Sequence, residues 1–287
     1  MGVSSRQAED WRIRVRRHLH SEPAEAPLVL FLHGFPQFAD AWKPVLSAVG
    51  ASAFHAVAVD QRGYSPGARP DGIDNYTTKE LVADVLHFAE VLGHDRFHLV
   101  AHDWGGMIAW ELAARFPERL MTLSVLSTPH TTSILHCIRT DEEQARKSEY
   151  ILFFRLPDHA VEAAMLANNA ERLRVAYRGQ LSPEDVERNV RRLSEPGALT
   201  AALNWYRALD MDVHVGSVHV PTLFIWGEKD HALGEAAAIG TSRHVAGPYR
   251  FVRLSNRSHW LLEEAPDEIS KLIVEHLKLH GTTEDEA

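Results

Sequence analysis

Phe97-His98-Leu99-Val100-Ala101-His102-Asp103-Trp104-Gly105-Gly106 is the stretch on which the reading of this chain turns. Phe97 to Ala101 is a compact apolar run with a charged entry at Asp95-Arg96 and a turn exit, the pattern of a short buried strand. Met107 to Phe116 is apolar nearly all round, the pattern of a buried helix, and Pro117 cannot continue it. Between them lies a small-x-Asp-x-Gly turn, with Ala101 and Gly105 on either side of Asp103. A turn this tight needs small residues beside its tip, because two backbones nearly touch there. The helix start offers free N–H groups and a positive dipole end, both of which favour a carboxylate. Taken alone, the segment fits either a reactive carboxylate displayed at the tip or an Asp that caps a helix.

The flanking sequence repeats this strand-then-helix rhythm. Trp11 to Arg16 alternates apolar and basic residues and reads as an edge strand. Leu28 to Leu32 and His55 to Val59 are continuous apolar runs, hence strands covered on both faces. The first leads into His33-Gly34-Phe35-Pro36, the second into Asp60-Gln61-Arg62-Gly63. Thr77-Thr78-Lys79-Glu80 has the form of a capping box opening a helix to about Leu92. Leu120 to Leu126 is a further strand, ending at Ser127-Thr128. From about Thr131 to Val213 no strand pattern appears. Helical pieces are expected at Asp141 to Phe154, Ala160 to Tyr177, after Ser182-Pro183, and around Leu199 to Leu209. Alternation resumes with strands Thr222 to Trp226 and Tyr249 to Leu254, and Pro266 opens a last helix to about His280. The tail from Gly281 is expected to fray. Alternating strands and helices argue for an α/β fold built on a mostly parallel, doubly wound sheet with an inserted helical cap. The core covers residues 1–130 and 214–287, and the cap residues 131–213.

Composition narrows the function. The 287 residues are 45% hydrophobic and carry a net charge of −9, with no basic run suited to a phosphate backbone, which excludes nucleic acid as a partner. The single cysteine, Cys137, permits no internal disulfide. No apolar run approaches the ~20 residues of a membrane span. The polar first ten residues lack a signal-peptide core, so a cytoplasmic location is expected. Nothing calls for a metal or an organic cofactor, and a homodimer is allowed.

Asp103, Asp230 and His259 each fall just past the C-terminal end of a proposed strand, the edge where open parallel sheets bind ligands. With these residues in view, the whole chain resembles the epoxide hydrolases of the α/β-hydrolase fold. His33-Gly34-Phe35-Pro36, the elbow His102-Asp103-Trp104-Gly105-Gly106, Gly227-Glu228-Lys229-Asp230 and Ser258-His259-Trp260 sit where that family carries its motifs, with Asp where the nucleophile elbow usually holds Ser. Tyr150, in Tyr-Ile-Leu-Phe-Phe-Arg, and Tyr206, in Leu-Asn-Trp-Tyr-Arg, look like the two cap tyrosines that family aims at the epoxide oxygen.

The chemistry accounts for each residue type. A carboxylate can open an epoxide at a tetrahedral carbon and form an ester on the enzyme. Two phenols can protonate the departing oxygen. Water then attacks the ester of Asp103, with His259 as base and Asp230 orienting its ring. The oxyanion so formed needs fixed donors, for which the backbone N–H groups of Phe35 and Trp104 are the candidates. His33, Pro36, Phe38, Phe153 and Phe154 are assigned to the pocket lining, with His33 as a loop support, and they imply an apolar epoxide. Asp60 and Cys137 are read as structural.

Two rival readings follow from the same residues. A haloalkane or haloacid dehalogenase would also use Asp, His and Asp, and Trp104 would suit a halide. Many haloalkane enzymes, however, place Asn where Phe35 stands, and fluoroacetate-type enzymes need Arg residues that Trp104 to Met107 lack. The other rival is a non-catalytic ligand-binding protein of the same fold.

Overall fold

A computed structural model describes residues 15–18, 26–157 and 159–280. Seven strands form one sheet: β1 (Val15–His18), β2 (Leu28–Leu32), β3 (His55–Val59), β4 (Phe97–His102), β5 (Leu120–Leu126), β6 (Thr222–Gly227) and β7 (Tyr249–Leu254). Their order is β1-β3-β2-β4-β5-β6-β7; β1 pairs antiparallel with β3 and every other pairing is parallel. The chain is an α/β fold with a mostly parallel sheet. Of the alternating run Trp11 to Arg16, residues 11–14 lie outside the described residues, and the expected edge strand is found from Val15 onward. The tail from Gly281 also lies outside them.

Twelve helices complete the described chain: α1 (Lys43–Gly50), α2 (Thr78–Val91), α3 (Trp104–Arg115), α4 (Thr131–Thr140), α5 (Glu142–Lys147), α6 (Glu149–Phe154), α7 (Ala160–Ala176), α8 (Pro183–Leu193), α9 (Ala198–Ala208), α10 (Glu235–Gly240), α11 (Leu261–Glu264) and α12 (Pro266–His280). The continuous apolar runs explain the layering. In β2, Leu28, Leu30 and Leu32 pack with α2 and α3 on one face, while Val29 and Phe31 pack with α1 and α12 on the other. A strand covered on both sides needs both alternate faces apolar. Between β5 and β6 the described chain makes only the helices α4 to α9. No helix among the described residues is long and apolar enough to cross a membrane.

Several local expectations need correction. The helix after the elbow starts at Trp104, three residues earlier than its apolar run implied, because the turn hands over directly to it. Thr77 precedes α2, but its side chain makes no capping hydrogen bond. Asp141 to Phe154 is two helices separated at Ser148, and α7 is interrupted where Asn168, Asn169 and Ala170 take positive φ. Ser182 does cap α8, its hydroxyl accepting from Asp185 N–H at 3.1 Å.

The helical insertion is tied to the core by polar contacts. Arg192 of α8 pairs with Asp60 and Asp40, and its guanidinium sits 3.6 Å from the Phe38 ring centroid. Asp60 also accepts from Ala39 N–H at 3.0 Å, so its place is structural. Trp205 of α9 donates to Arg62 C=O at 3.0 Å.

The elbow depends on close backbone approach. A Cβ on Gly105 would stand 2.4 Å from Leu32 O. Gly105→Ala is therefore expected to cost about 1–3 kcal/mol by overpacking, outweighing the ~1 kcal/mol that Ala gains over Gly within a helix. Thermal melting should show it as a drop of about 2–4 °C for each kcal/mol; an unchanged melting temperature would refute the close-approach argument.

Candidate active site

Asp103 terminates β4 and begins the turn into α3 with φ 52° and ψ −122°, a conformation that a residue with a side chain adopts only under constraint. Three contacts supply the constraint. Its carbonyl accepts from Gly106 N–H and from the Thr128 hydroxyl, each at 2.8 Å. Its carboxylate Oδ1 accepts from Phe35 N–H at 2.7 Å. The loop carrying Phe35 can come this near because Gly34 has no side chain: a Cβ there would lie 2.1 Å from Asp103 Oδ1. The Trp104 N–H also stabilises the Asp103 carboxylate.

His259 follows β7, and its Nε2 lies 3.5 Å from Asp103 Oδ2. Its Nδ1 is 2.8 Å from Asp230 Oδ2. Asp230 follows β6, and its other oxygen accepts from Ala232 N–H at 2.8 Å and Leu233 N–H at 2.9 Å. These bonds aim one carboxylate oxygen at the imidazole. The strand ends thus bring Asp103, His259 and Asp230 into one chain of contacts.

Charge follows from this packing. Burial favours the neutral carboxyl in both aspartates, but His259 outweighs it and holds both below the usual range. Burial also disfavours the imidazolium, yet the charges of Asp230 and Asp103 and their bonds to His259 prevail, pushing it up to about 10. His102 lies beside this group with ring centroids 4.8 Å apart, and its Nε2 is 3.0 Å from His259 C=O. Burial and the neighbouring His259 lower His102 to about 4, so it stays neutral and can donate from Nε2. Ser127 Oγ donates to the same carbonyl at 2.8 Å.

A cavity of about 440 Å³ opens beside these groups, lined by Asp103, His259, Tyr150, Tyr206, Phe35 and Phe154 among others, with Pro36 and Trp260 contributing to its wall. The rings of Tyr150 and Tyr206 are 6.1 Å apart, and Tyr206 packs edge-on to Trp104 at 4.9 Å. Burial, reinforced by the nearby carboxylates, raises both phenols above their ordinary range, so both are neutral donors near pH 7. A second, apolar chamber of about 50 Å³ adjoins Asp103 and the same two tyrosines on the side of Trp104 and Leu135.

Three residues assigned to the lining are not among those that border the cavity. His33 is buried beneath the loop, where its Nε2 accepts from Gln61 N–H at 3.3 Å and burial lowers it to about 4, so it supports the loop. Phe38 is covered by the Arg192 guanidinium, and Phe153 is half-buried against Arg172 and Phe154. Conversely, Ser127, Thr128 and His102 contact the site although the sequence pattern assigns them no role in it. Ser127 and Thr128 follow β5 at the same sheet edge, and that position is the signal the sequence carries for them. Tyr177 donates to Pro36 C=O at 2.8 Å and packs 5.5 Å from Trp260, so it bridges two active-site loops from α7.

A family model for the α/β hydrolase fold matches residues 27–266. The chain belongs to the α/β-hydrolase fold family. Within that family it is 35% identical over 262 residues to the AB hydrolase superfamily protein YfhM of Bacillus subtilis, covering 88% of this chain and 91% of the relative. It is 35% identical over 267 residues to human epoxide hydrolase 4, covering 88% of this chain and 72% of that one. The crystal structure of an epoxide hydrolase from Bacillus megaterium in complex with an inhibitor superimposes with a TM-score of 0.83 at 28% identity, covering 93% of this chain and 96% of that chain. An α/β-hydrolase with Asp rather than Ser at its elbow has a charged nucleophile candidate that needs no base to ionise it.

The His259 charge is accordingly a readout of the Asp103 charge. Removing one of two carboxylates facing an imidazolium disfavours the charged form, so Asp103→Asn should lower the His259 midpoint by about one to three units. Imidazole NMR titration checks this, and a midpoint that stays near 10 would contradict the assigned coupling.

Proposed function

We propose that this protein is an epoxide hydrolase that adds water to an epoxide and gives a vicinal diol. The observation that carries the reading is Asp103. One of its oxygens is held by Phe35 N–H at 2.7 Å and the other lies 3.5 Å from His259, in a cavity it shares with two neutral phenols. Residues 131–213 serve as the lid that supplies those phenols.

Asp103 Oδ2, the oxygen not bound by Phe35, attacks an epoxide carbon. The ring C–O bond breaks, and its oxygen takes a proton from Tyr150 or Tyr206. The product is a hydroxyalkyl ester on Asp103 and a tyrosinate. Esterification removes one negative charge beside His259, so the imidazolium becomes more acidic and its proton restores the tyrosine. Neutral His259 then accepts a proton from water as the water oxygen attacks the Asp103 carbonyl carbon. Oδ1 carries the resulting negative charge between the N–H groups of Phe35 and Trp104. Collapse expels the diol oxygen, which takes the proton back from His259; the Asp103 carboxyl, now carrying one oxygen from water, then gives its remaining proton to His259 and restores the resting ion pair. Asp230 holds the imidazole ring in position and stabilises its cation.

This order explains why a base with its midpoint near 10 in the resting site is compatible with the chemistry: the first step needs no base, and the first step itself lowers that midpoint. It also supports epoxide opening over a serine-type reaction, in which the base must be neutral at the outset.

Two experiments test the scheme. With enzyme in excess over styrene oxide in heavy-oxygen water, the diol of the first turnover should be unlabelled and the Asp103 peptide should gain the label. His259→Gln should retain the substrate mass on that peptide. Labelled diol with unlabelled Asp103 would falsify the covalent route. The phenols share one task, so Tyr150→Phe and Tyr206→Phe should each keep measurable turnover while the double variant loses nearly all of it. Full activity in the double variant would remove the tyrosines from the mechanism.

A further inference from the structure

The same cavity has a charged mouth. Arg146, Lys147, Arg172 and Arg178 border it, against Glu149 as the one acidic bordering residue apart from Asp103 among the described residues. The protein as a whole carries −9, so this local excess of positive charge runs against its composition. Lys147 is engaged, pairing with Glu143 at 2.8 Å and donating to Asp230 C=O at 2.7 Å. Arg146, Arg172 and Arg178 make no ion pair among the described residues. Many other arginines of the chain do, including Arg69 with Glu195, Arg119 with Glu90, Arg207 with Glu162 and Arg253 with Glu228. Arg172 is in addition held 5.4 Å from the Phe153 ring, leaving its guanidinium edge available. Three unpaired guanidinium groups therefore stand on the rim of an aromatic-walled cavity.

The rim and the interior ask for different chemistry. Low-dielectric walls focus the field of the rim charges at the mouth. Guanidinium groups match the two oxygens of a carboxylate. Inside, Phe35, Phe154 and Trp260 favour an apolar body. The adjoining chamber that also borders Asp103, about 50 Å³ against about 440 Å³, is much the smaller of the two and suits the shorter substituent of the epoxide.

We infer that the substrate is an epoxide at or near one end of an apolar chain whose other end is an anionic group, held at the cavity mouth by Arg146, Arg172 and Arg178. The inference rests on the epoxide-hydrolase reading and specifies which epoxides the site prefers. Because the three arginines are exposed, their effect is on capture of the substrate and not on the chemical step, so it appears in KM and disappears with salt.

A matched pair of compounds tests it: the terminal epoxide of undecylenic acid and the primary amide of the same epoxide, which differ only in charge. At low ionic strength kcat/KM should favour the acid by about tenfold, carried by KM. The ratio should approach one in about 1 M salt, where the Debye length is ~3 Å. It should also approach one in the triple variant Arg146→Gln, Arg172→Gln, Arg178→Gln. The ratio is internal to each protein, so a general loss of activity in the variant does not imitate the result. Equal kcat/KM for acid and amide in the parent, or a preference that survives the triple variant, overturns the inference. Quenching of tryptophan fluorescence by undecanoate and by undecanamide gives a readout without turnover. If no epoxide is hydrolysed yet undecanoate binds more tightly than undecanamide in the parent alone, the epoxide reading fails and the anion site stands. If styrene oxide is hydrolysed and both preferences are absent, the anion site fails and the epoxide reading stands.

Discussion

The site depends on a carboxylate forced into contact with backbone from two directions. Asp103 sits at positive φ at the junction of β4 and α3, and that junction exists because α3 packs against Leu32 through Gly105. From the other side, the loop after β2 reaches Asp103 through Gly34 and delivers the Phe35 N–H. A side chain at either glycine would part these surfaces. The backbone strain, of order 1–3 kcal/mol, persists because strand pairing and helix packing on both sides leave the turn no alternative. The result is a charged oxygen pair whose two ends face different partners, an amide on one and an imidazole on the other.

Electrostatics follows from that placement. The buried carboxylate of Asp230 and the cavity-facing one of Asp103 on one buried imidazole give a site that rests with the imidazole charged. Such an arrangement is stable only while both carboxylates are ionised, so any event that neutralises Asp103 changes what His259 can do. The surrounding histidines do not compete for the proton. His102 and His33 are buried without a carboxylate in direct contact, and burial keeps both neutral. Similar side chains thus take opposite charge states within one loop cluster, according to whether a carboxylate touches them.

The helical insertion contributes through its attachments as much as through its phenols. Arg192 reaches down to Asp60 and Asp40, Trp205 to Arg62 C=O, and Tyr177 to Pro36 C=O. The last contact joins the helical insertion to the loop whose next residue back, Phe35, binds Asp103. The rim arginines Arg172 and Arg178 lie on or just beyond α7, the helix that Tyr177 caps.

The strand set and its two-sided burial were legible in the chain because continuous apolar runs such as Leu28 to Leu32 suit only a strand with helices on both faces. The elbow was legible because small residues flank an Asp between a strand pattern and a helix pattern. Asp230, His259 and the two tyrosines were legible from their places after strands and from resemblance. The lining residues were not. Phe38 and Phe153 have the composition of pocket walls, but which side of a loop or short helix faces a cavity depends on packing between segments far apart in sequence. The breaks at Ser148 and at Asn168 to Ala170 carry no local stop signal such as Pro or Gly, so the helical pattern of the sequence runs through them. Local pattern determined the sheet, the elbow and the kinds of chemical group at its edge. Only the tertiary structure decided which oxygen of Asp103 meets the amide, which histidine carries charge and which arginines are left unpaired at the mouth, because distance, burial and the field of neighbouring charges exist only once the chain has closed on itself.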